Sequence, residues 1–423
     1  MNNNKLLMII NEFPPTGLSG VQRALKFLKY ACREDWEVHA VVPKKPVRKE
    51  TDHSLLDDIP PEAHIHRVGG LGIRSRNVSR ITSTRFADTM PKNLLSRWFW
   101  TLAKFINDLL WPIDKQIGWM PFATWKAAQI IRRHQIRNLY ITAYPFSSFL
   151  AGIMLKKLFG HKIFWVADYR DAWQFAPLLE KKALPFRFKR ITRIDARVLK
   201  TCDKAVFVTP HIRNQYIAKY PWLDEKSLVI TNGFDEDDFT GLTPVRHDQP
   251  TVVYMGRMDR NYGNPLKLLA GMAGSSVPDL SFIHLGSIDP LLREWITAAG
   301  HAFYTHLGYL PHRQALEHTL GADVNLIMLD DNPASEQVYT GKLFELLRAG
   351  KPILSVGPKR SIIDTLLTEF RGGLHVHISD PEAISTALDR LLQNQPPIIT
   401  IQTDLIKCFS RAELTRQLLN VYS

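Results

Sequence analysis

The stretch Thr340-Gly-Lys-Leu-Phe-Glu-Leu-Leu-Arg-Ala-Gly-Lys-Pro-Ile-Leu354 runs a loop into a helix and the helix into a strand. Gly341 lets backbone amides open toward a ligand, and the helix expected from Lys342 presents free N–H groups and the positive end of its dipole, an arrangement suited to an anion. Lys342 adds a point charge there. Glu345 follows three residues later, about one turn along the same face, where a carboxylate accepts hydrogen bonds from hydroxyl groups. Gly350 ends the helix and Pro352 opens the next strand. Local spacing alone fits equally an ordinary loop-helix-strand unit with an i,i+3 ion pair.

The same alternation extends in both directions. Behind and ahead of this stretch, apolar runs predict strands at Thr251–Met255, Ser281–Leu285, Phe303–Leu307, Val324–Leu329, Pro352–Val356 and His375–His377. Helical patterns at Pro265–Met272, Leu292–Ala299, Arg313–Leu320, Lys342–Ala349 and Pro381–Leu392 fall between or after them. The first half predicts strands at Lys5–Ile10, Glu37–Val42, His64–Val68, Leu139–Ala143, Lys162–Ala167, Ala205–Thr209 and Leu228–Thr231, with helices such as Val21–Arg33 and Trp125–Arg133. Continuous apolar strands alternating with helices call for parallel sheets covered on both faces. The expected fold is therefore α/β, with two Rossmann-like doubly wound domains facing across a cleft. Residues 1–235 form the first, the polar aperiodic stretch 236–250 reads as a linker, and residues 251–404 form the second. A helix within residues 405–423, at Ser410–Val421, leaves open a return to the first domain.

Length and composition bound the function. A chain of 423 residues with 45% apolar and 22% charged side chains has the composition of a folded protein of two or three domains. Three cysteines, Cys32, Cys202 and Cys408, lie far apart without a CxxC pair, which argues against a disulfide framework or zinc ribbon and for a reducing compartment. The net charge is +13, and such an excess calls for an anionic partner. Residues 1–240 carry 38 basic and 23 acidic side chains, so the whole excess lies in the first half. Met1-Asn-Asn-Asn-Lys5 leads into only five apolar residues, which is no secretory signal. Leu94–Trp111, rich in tryptophan and phenylalanine but broken by Arg97, Lys104 and Asp108, reads as an amphipathic helix and not a membrane span.

Further short segments stand in a fixed order. They are Asn11-Glu-Phe-Pro-Pro-Thr-Gly-Leu-Ser-Gly-Val-Gln-Arg23, Tyr144-Pro-Phe-Ser-Ser148, Ile230-Thr-Asn-Gly-Phe-Asp235, Tyr254-Met-Gly-Arg257 and His306-Leu-Gly-Tyr-Leu-Pro311. Together with Thr340–Leu354 this ordered set resembles retaining glycosyltransferase family 4, enzymes of the two-Rossmann GT-B architecture. The resemblance covers nearly the whole chain.

That resemblance implies transfer of a sugar from a nucleotide diphospho-sugar to a hydroxyl acceptor, with retention and with neither metal nor other cofactor. The growing charge on the leaving diphosphate needs fixed positive groups. Arg257, after Gly256, and Gly341 with Lys342 are the implied diphosphate contacts, and Glu345 the implied ribose contact. The family's second basic residue falls on Tyr262 here, with Arg260 and Lys267 as weaker candidates. The first of the family's paired acids falls on Gln337, one residue beyond Glu336, so either the catalytic acid is Glu336 or Gln337 replaces it. Gly17 and Gly20, with Arg23, lie where a strand gives way to a helix, and either admit the donor diphosphate or form a tight turn. In Val166-Ala-Asp-Tyr-Arg-Asp-Ala-Trp173, Asp168 and Asp171 are candidates to bind sugar hydroxyls or to act as general base; a buried Asp–Arg pair is the alternative for this segment.

Asp235-Glu-Asp237 matches a metal-binding D-x-D only superficially and is expected to cap a short helix. None of the 15 histidines stands in an H-E-x-x-H or comparable spacing, so no metal site is expected. The basic clusters Lys181-Lys182, Arg187–Arg190 and Arg193–Arg197 are either solvated helix faces or, with Leu94–Trp111, a seat on anionic lipid. No nucleic-acid reader motif is present. The expected partners are thus a nucleotide sugar, a glycan or lipid-linked acceptor and an anionic membrane surface. The expected setting is surface polysaccharide or lipid-linked glycan synthesis of bacterial type, at the cytoplasmic face of the membrane. An epimerase or hydrolase on the same architecture, or a catalytically silent scaffold, are the rival readings.

Overall fold

The computed structural model describes residues 4–17, 19–46, 51–70, 113–175, 185–333, 335–393 and 403–423. Two units form, Met1–Thr231 with Leu414–Ser423, and Asn232–Glu413.

In the first unit seven parallel strands, β1 (Lys5–Ile9), β2 (Glu37–Pro43), β3 (His64–Val68), β4 (Asn138–Ala143), β5 (Phe164–Tyr169), β6 (Lys204–Phe207) and β7 (Ser227–Val229), stand in the order β3-β2-β1-β4-β5-β6-β7. β1 lies inside the sheet, in register from Lys5 opposite Glu37 on one side and from Leu6 opposite Asn138 on the other. Its side chains alternate between two cores. Leu7 and Ile9 join one with the helices Met120–His134 and Ser148–Phe159, while Leu6 and Met8 join another with the helix Ser19–Arg33. Both faces of the sheet are dry, which is why these strands read as unbroken apolar runs. Each fully buried Leu or Ile contributes about 1.5–3 kcal/mol relative to exposure.

The second unit repeats the design with six strands: β8 (Thr251–Met255), β9 (Ser281–Leu285), β10 (Tyr304–Gly308), β11 (Val324–Met328), β12 (Ile353–Gly357) and β13 (Gly373–His377), ordered β10-β9-β8-β11-β12-β13. Here too the strand order reverses direction once, between β8 and β11, as it does between β1 and β4 in the first unit. At such a switch point the loops leaving the two strands diverge and open a crevice at their carboxyl ends.

The linker expected at 236–250 is not a free tether. Asp235 caps the short helix Glu236–Phe239 by accepting from the Asp237 amide at 3.0 Å. Beyond it, the Val245 amide donates to the Glu317 carbonyl at 3.0 Å, and Gly321 leaves room for the Val245 carbonyl, 1.8 Å from where a Cβ would stand. Polar composition hid this packing because it uses backbone groups. At the end of the chain, Leu414, Leu418 and Leu419 enter the core beside Leu6 and Met8 of the first unit, and Tyr422 donates to the Leu139 carbonyl at 3.1 Å. Residues 405–413 belong to the second unit, where Ile406 and Phe409 pack. Leu94–Trp111 and Lys181-Lys182 lie outside the described residues.

Candidate active site

In the second unit the sequence signals converge on the switch point. Gly256 and Arg257 leave the end of β8, and Lys342 comes from the connection that follows β11. The Lys342 ammonium donates to the Met255 carbonyl, the last residue of β8, and so stands beside the Gly256 turn. Burial draws its pKa below the ordinary lysine range, against the pull of Glu345. The Arg257 side chain is 69% exposed and paired with Asp259 at 2.6 Å. The helix that follows Lys342 is short, Leu343–Ala349, and stops at Gly350 in a left-handed conformation, φ 72°.

Glu345 lies one turn along, with His312 Nε2 at 3.3 Å. Burial pushes its carboxyl up, but His312 foremost, then Lys342 and Arg411, hold it below the usual range, so it is an anion ready to accept. One residue before Gly341, the Thr340 hydroxyl is buried without a hydrogen-bond partner among the described residues. Glu336 sits half-buried in a 3₁₀ turn, Ser335–Gln337. Tyr262, which takes the place of a second basic residue, is 39% exposed beside Asp330.

Two histidines that sequence reasoning passed over fasten the glycine turns. His284 is neutral, its pKa pushed down to about 4 by burial; its Nε2 donates to the Gly256 carbonyl at 2.9 Å and its Nδ1 accepts from the Tyr304 hydroxyl at 2.8 Å. His306 likewise donates from Nε2 to the Gly286 carbonyl at 2.7 Å and accepts from Arg293. Gly286 has φ 140°, and a Cβ on it would stand 2.1 Å from the Gly256 carbonyl oxygen. Gly286→Ala is accordingly expected to destabilise the protein by about 2–4 kcal/mol, read from urea denaturation.

In the first unit the candidate residues build a scaffold. Asp168 is fully buried and accepts from Arg23 Nε and Nη2 at 3.0 and 2.8 Å, from the Tyr140 hydroxyl at 2.6 Å and from the Thr142 hydroxyl at 2.9 Å. Arg23 continues to the carbonyls of Ile230 and Thr231. Of the two readings open for Asp168, this geometry is that of the buried pair, and the partner is Arg23 and not the nearer Arg170. Burial pushes the Asp168 carboxyl up, but Arg23 outweighs it and holds the group below its ordinary range.

Arg170 does a separate job. It donates to the carbonyls of Ala143, Tyr144 and Gly20 and to the Glu12 carboxylate, tying the carboxyl ends of β4 and β5 to the loop after β1. A Cβ on Gly20 would stand 2.3 Å from Arg170 Nη1 and 2.7 Å from Glu12 Oε2. A Cβ on Gly17 would lie 3.1 Å from Asp52. The position a Cβ would take on each glycine is thus filled by the protein itself. Asp171, next to Arg170, is exposed at the strand end.

The sequence profile of Glycosyltransferase Family 4 matches residues 19–238, more than half of the chain. The chain belongs to this family. The GT-B architecture of the family 4 chain is shared with solved structures. Sucrose-phosphate synthase from Thermosynechococcus elongatus superposes with a TM-score of 0.65 at 14% identity, over 99% of this chain and 98% of the other. HepE from Anabaena gives 0.65 at 12% identity over 99% of each chain. WaaG, a glycosyltransferase involved in lipopolysaccharide biosynthesis, gives 0.56 at 11% identity over 99% of each. No curated protein matches the sequence.

Proposed function

We propose that this family 4 glycosyltransferase moves a sugar from a nucleotide diphospho-sugar to a hydroxyl of a glycan or lipid-linked acceptor, with retention of anomeric configuration. The observation that carries this is the meeting of Lys342 with the end of β8 at the switch point, one turn from an ionised Glu345. Lys342 and Arg257 neutralise the diphosphate as the bond to the sugar breaks, so that fixed cations take the part a metal plays elsewhere. Glu345 accepts from the ribose hydroxyls, and Glu336 faces the sugar. HepE, solved with UDP and with UDP-glucose, supports a nucleotide-sugar donor.

The first unit presents the acceptor. Its buried carboxylate, Asp168, has its acceptor sites committed within the protein, which leaves deprotonation of the acceptor hydroxyl to the departing diphosphate, on the same face of the sugar. Retention follows from that arrangement. Asp171, exposed beside Arg170, orients acceptor hydroxyls.

The enzyme works at the cytoplasmic face of a membrane, in surface polysaccharide or lipid-linked glycan synthesis. No described helix is long and apolar enough to cross a bilayer. The helix Pro185–Thr201 instead turns Arg190, Arg193, Arg197 and Lys200 outward along one stripe, and each cation near anionic lipid adds about 1 kcal/mol. WaaB, a lipopolysaccharide outer core galactosyltransferase, supports such a setting.

A thermal-shift screen of UDP-, GDP-, ADP- and dTDP-sugars, followed by product analysis by NMR, tests this reading. One donor class is expected to stabilise the protein and to give product with the donor's anomeric configuration. Conversion of that donor without an acceptor makes the protein an epimerase or hydrolase, and binding of none makes it a silent scaffold. Glu345→Ala is expected to weaken donor binding roughly tenfold to a hundredfold by calorimetry, the loss of a hydrogen bond to a charged group.

A further inference from the structure

At the opposite, amino end of the first sheet, residues from a strand and a helix form a histidine-carboxylate cluster that the transfer reaction does not use. Glu37 and His39 are two apart on β2 and point to the same face, toward the helix Met120–His134, whose last residue joins them. Glu37 Oε1 lies 3.0 Å from His39 Nε2 and 3.6 Å from His134 Nδ1. One ligand atom from each of the three residues lies within 4.8 Å of the other two. In a tetrahedral site with metal-ligand bonds near 2.0–2.1 Å, neighbouring ligand atoms stand about 3.3 Å apart, and the separations from Glu37 to the two histidines bracket that value.

The surroundings are those of a metal site as well. Lys5 binds the second oxygen of Glu37 at 2.7 Å, which turns Oε1 inward. His39 Nδ1 lies 3.0 Å from His66 Nε2, so a metal on Nε2 leaves the His39 proton where His66 accepts it, fixing tautomer and ring plane. His64, opposite His39 on β3, stacks on its ring with centroids 4.5 Å apart.

We infer that Glu37, His39 and His134 bind a divalent transition metal ion of the zinc type, with the fourth position open to water. Two imidazoles and one carboxylate suit zinc and its neighbours, and disfavour magnesium or calcium, which take oxygen ligands. The ion joins β2 to the end of the helix Met120–His134 and is structural, since Asp171, the residue of this unit offered to the acceptor, follows the carboxyl end of β5, at the other end of the strands.

Tag-free full-length protein, stripped with chelator, is titrated with Co2+ and then Zn2+. The expected result is uptake of one Co2+ per chain with the visible absorption of a four-coordinate ion, its displacement by Zn2+, and a rise of several degrees in the thermal midpoint. His134→Gln and Glu37→Gln, whose parent side chains are about a third exposed and so replaceable without opening the core, are each expected to weaken Co2+ at least about tenfold. Absence of stoichiometric uptake overturns the inference. Uptake unchanged in both variants overturns it too, because the ion then sits on other histidines.

Discussion

Lys342→Ala lowers kcat/KM for the donor by about a hundredfold to a thousandfold, the loss found when one preorganised group facing a developing oxyanion is removed. The loss is large because the ammonium is fixed by the Met255 carbonyl and partly desolvated, so it needs no reorganisation as the diphosphate leaves. A bound diphosphate also favours the charged form of Lys342 and raises its depressed pKa. Stability changes little: one hydrogen bond of about 0.5–1.5 kcal/mol is lost, while the desolvation of a cation is relieved. Steady-state kinetics paired with urea denaturation read both quantities. A comparable fall in stability would instead make Lys342 a structural residue.

Asp168→Ala has the opposite signature. It leaves the Arg23 guanidinium buried and unpaired, and breaking such a pair from one side costs about 3–5 kcal/mol. The pH dependence follows from the same contact. Because the folded carboxyl titrates below the unfolded value of about 3.9, its contribution is complete above that value and is lost as pH falls through the folded pKa. Wild-type protein is therefore expected to lose stability on the acid side more steeply than the variant, in urea titrations between neutral pH and about pH 3. A stability loss under about 1 kcal/mol together with abolished turnover would return Asp168 to a catalytic role.

The two predictions differ because the sequence carries the two sites unequally. Parallel strands buried on both faces, such as Leu6–Ile9 and Val252–Met255, leave an apolar run that anyone can read, and the switch-point loops follow from strand order. The placement of Gly256, Arg257 and Lys342 at the switch point follows for the same reason: each belongs to one continuous loop or helix turn. Asp168 was ambiguous because its partner, Arg23, is 145 positions away, a contact that local spacing does not encode. Gly20, open between room for a ligand and a tight turn, has Arg170 against its bare face, a contact 150 positions away that local spacing does not encode. His284 and His306 were silent, since a histidine within a strand gives no sign that it holds the glycine turn of the neighbouring strand. The cluster of Glu37, His39 and His134 has no sequence motif at all. Its ligands are brought together by the packing of a strand on a helix, so metal-ligand spacing rules pass over it.

The most direct test of the central claim is calorimetric titration of the full chain with UDP, GDP, ADP and dTDP, repeated on Lys342→Ala. The account predicts that wild-type protein binds at least one of these nucleoside diphosphates at a single site without added metal, and that the variant binds it at least tenfold more weakly. Binding of none, or equal binding by the variant, would contradict it.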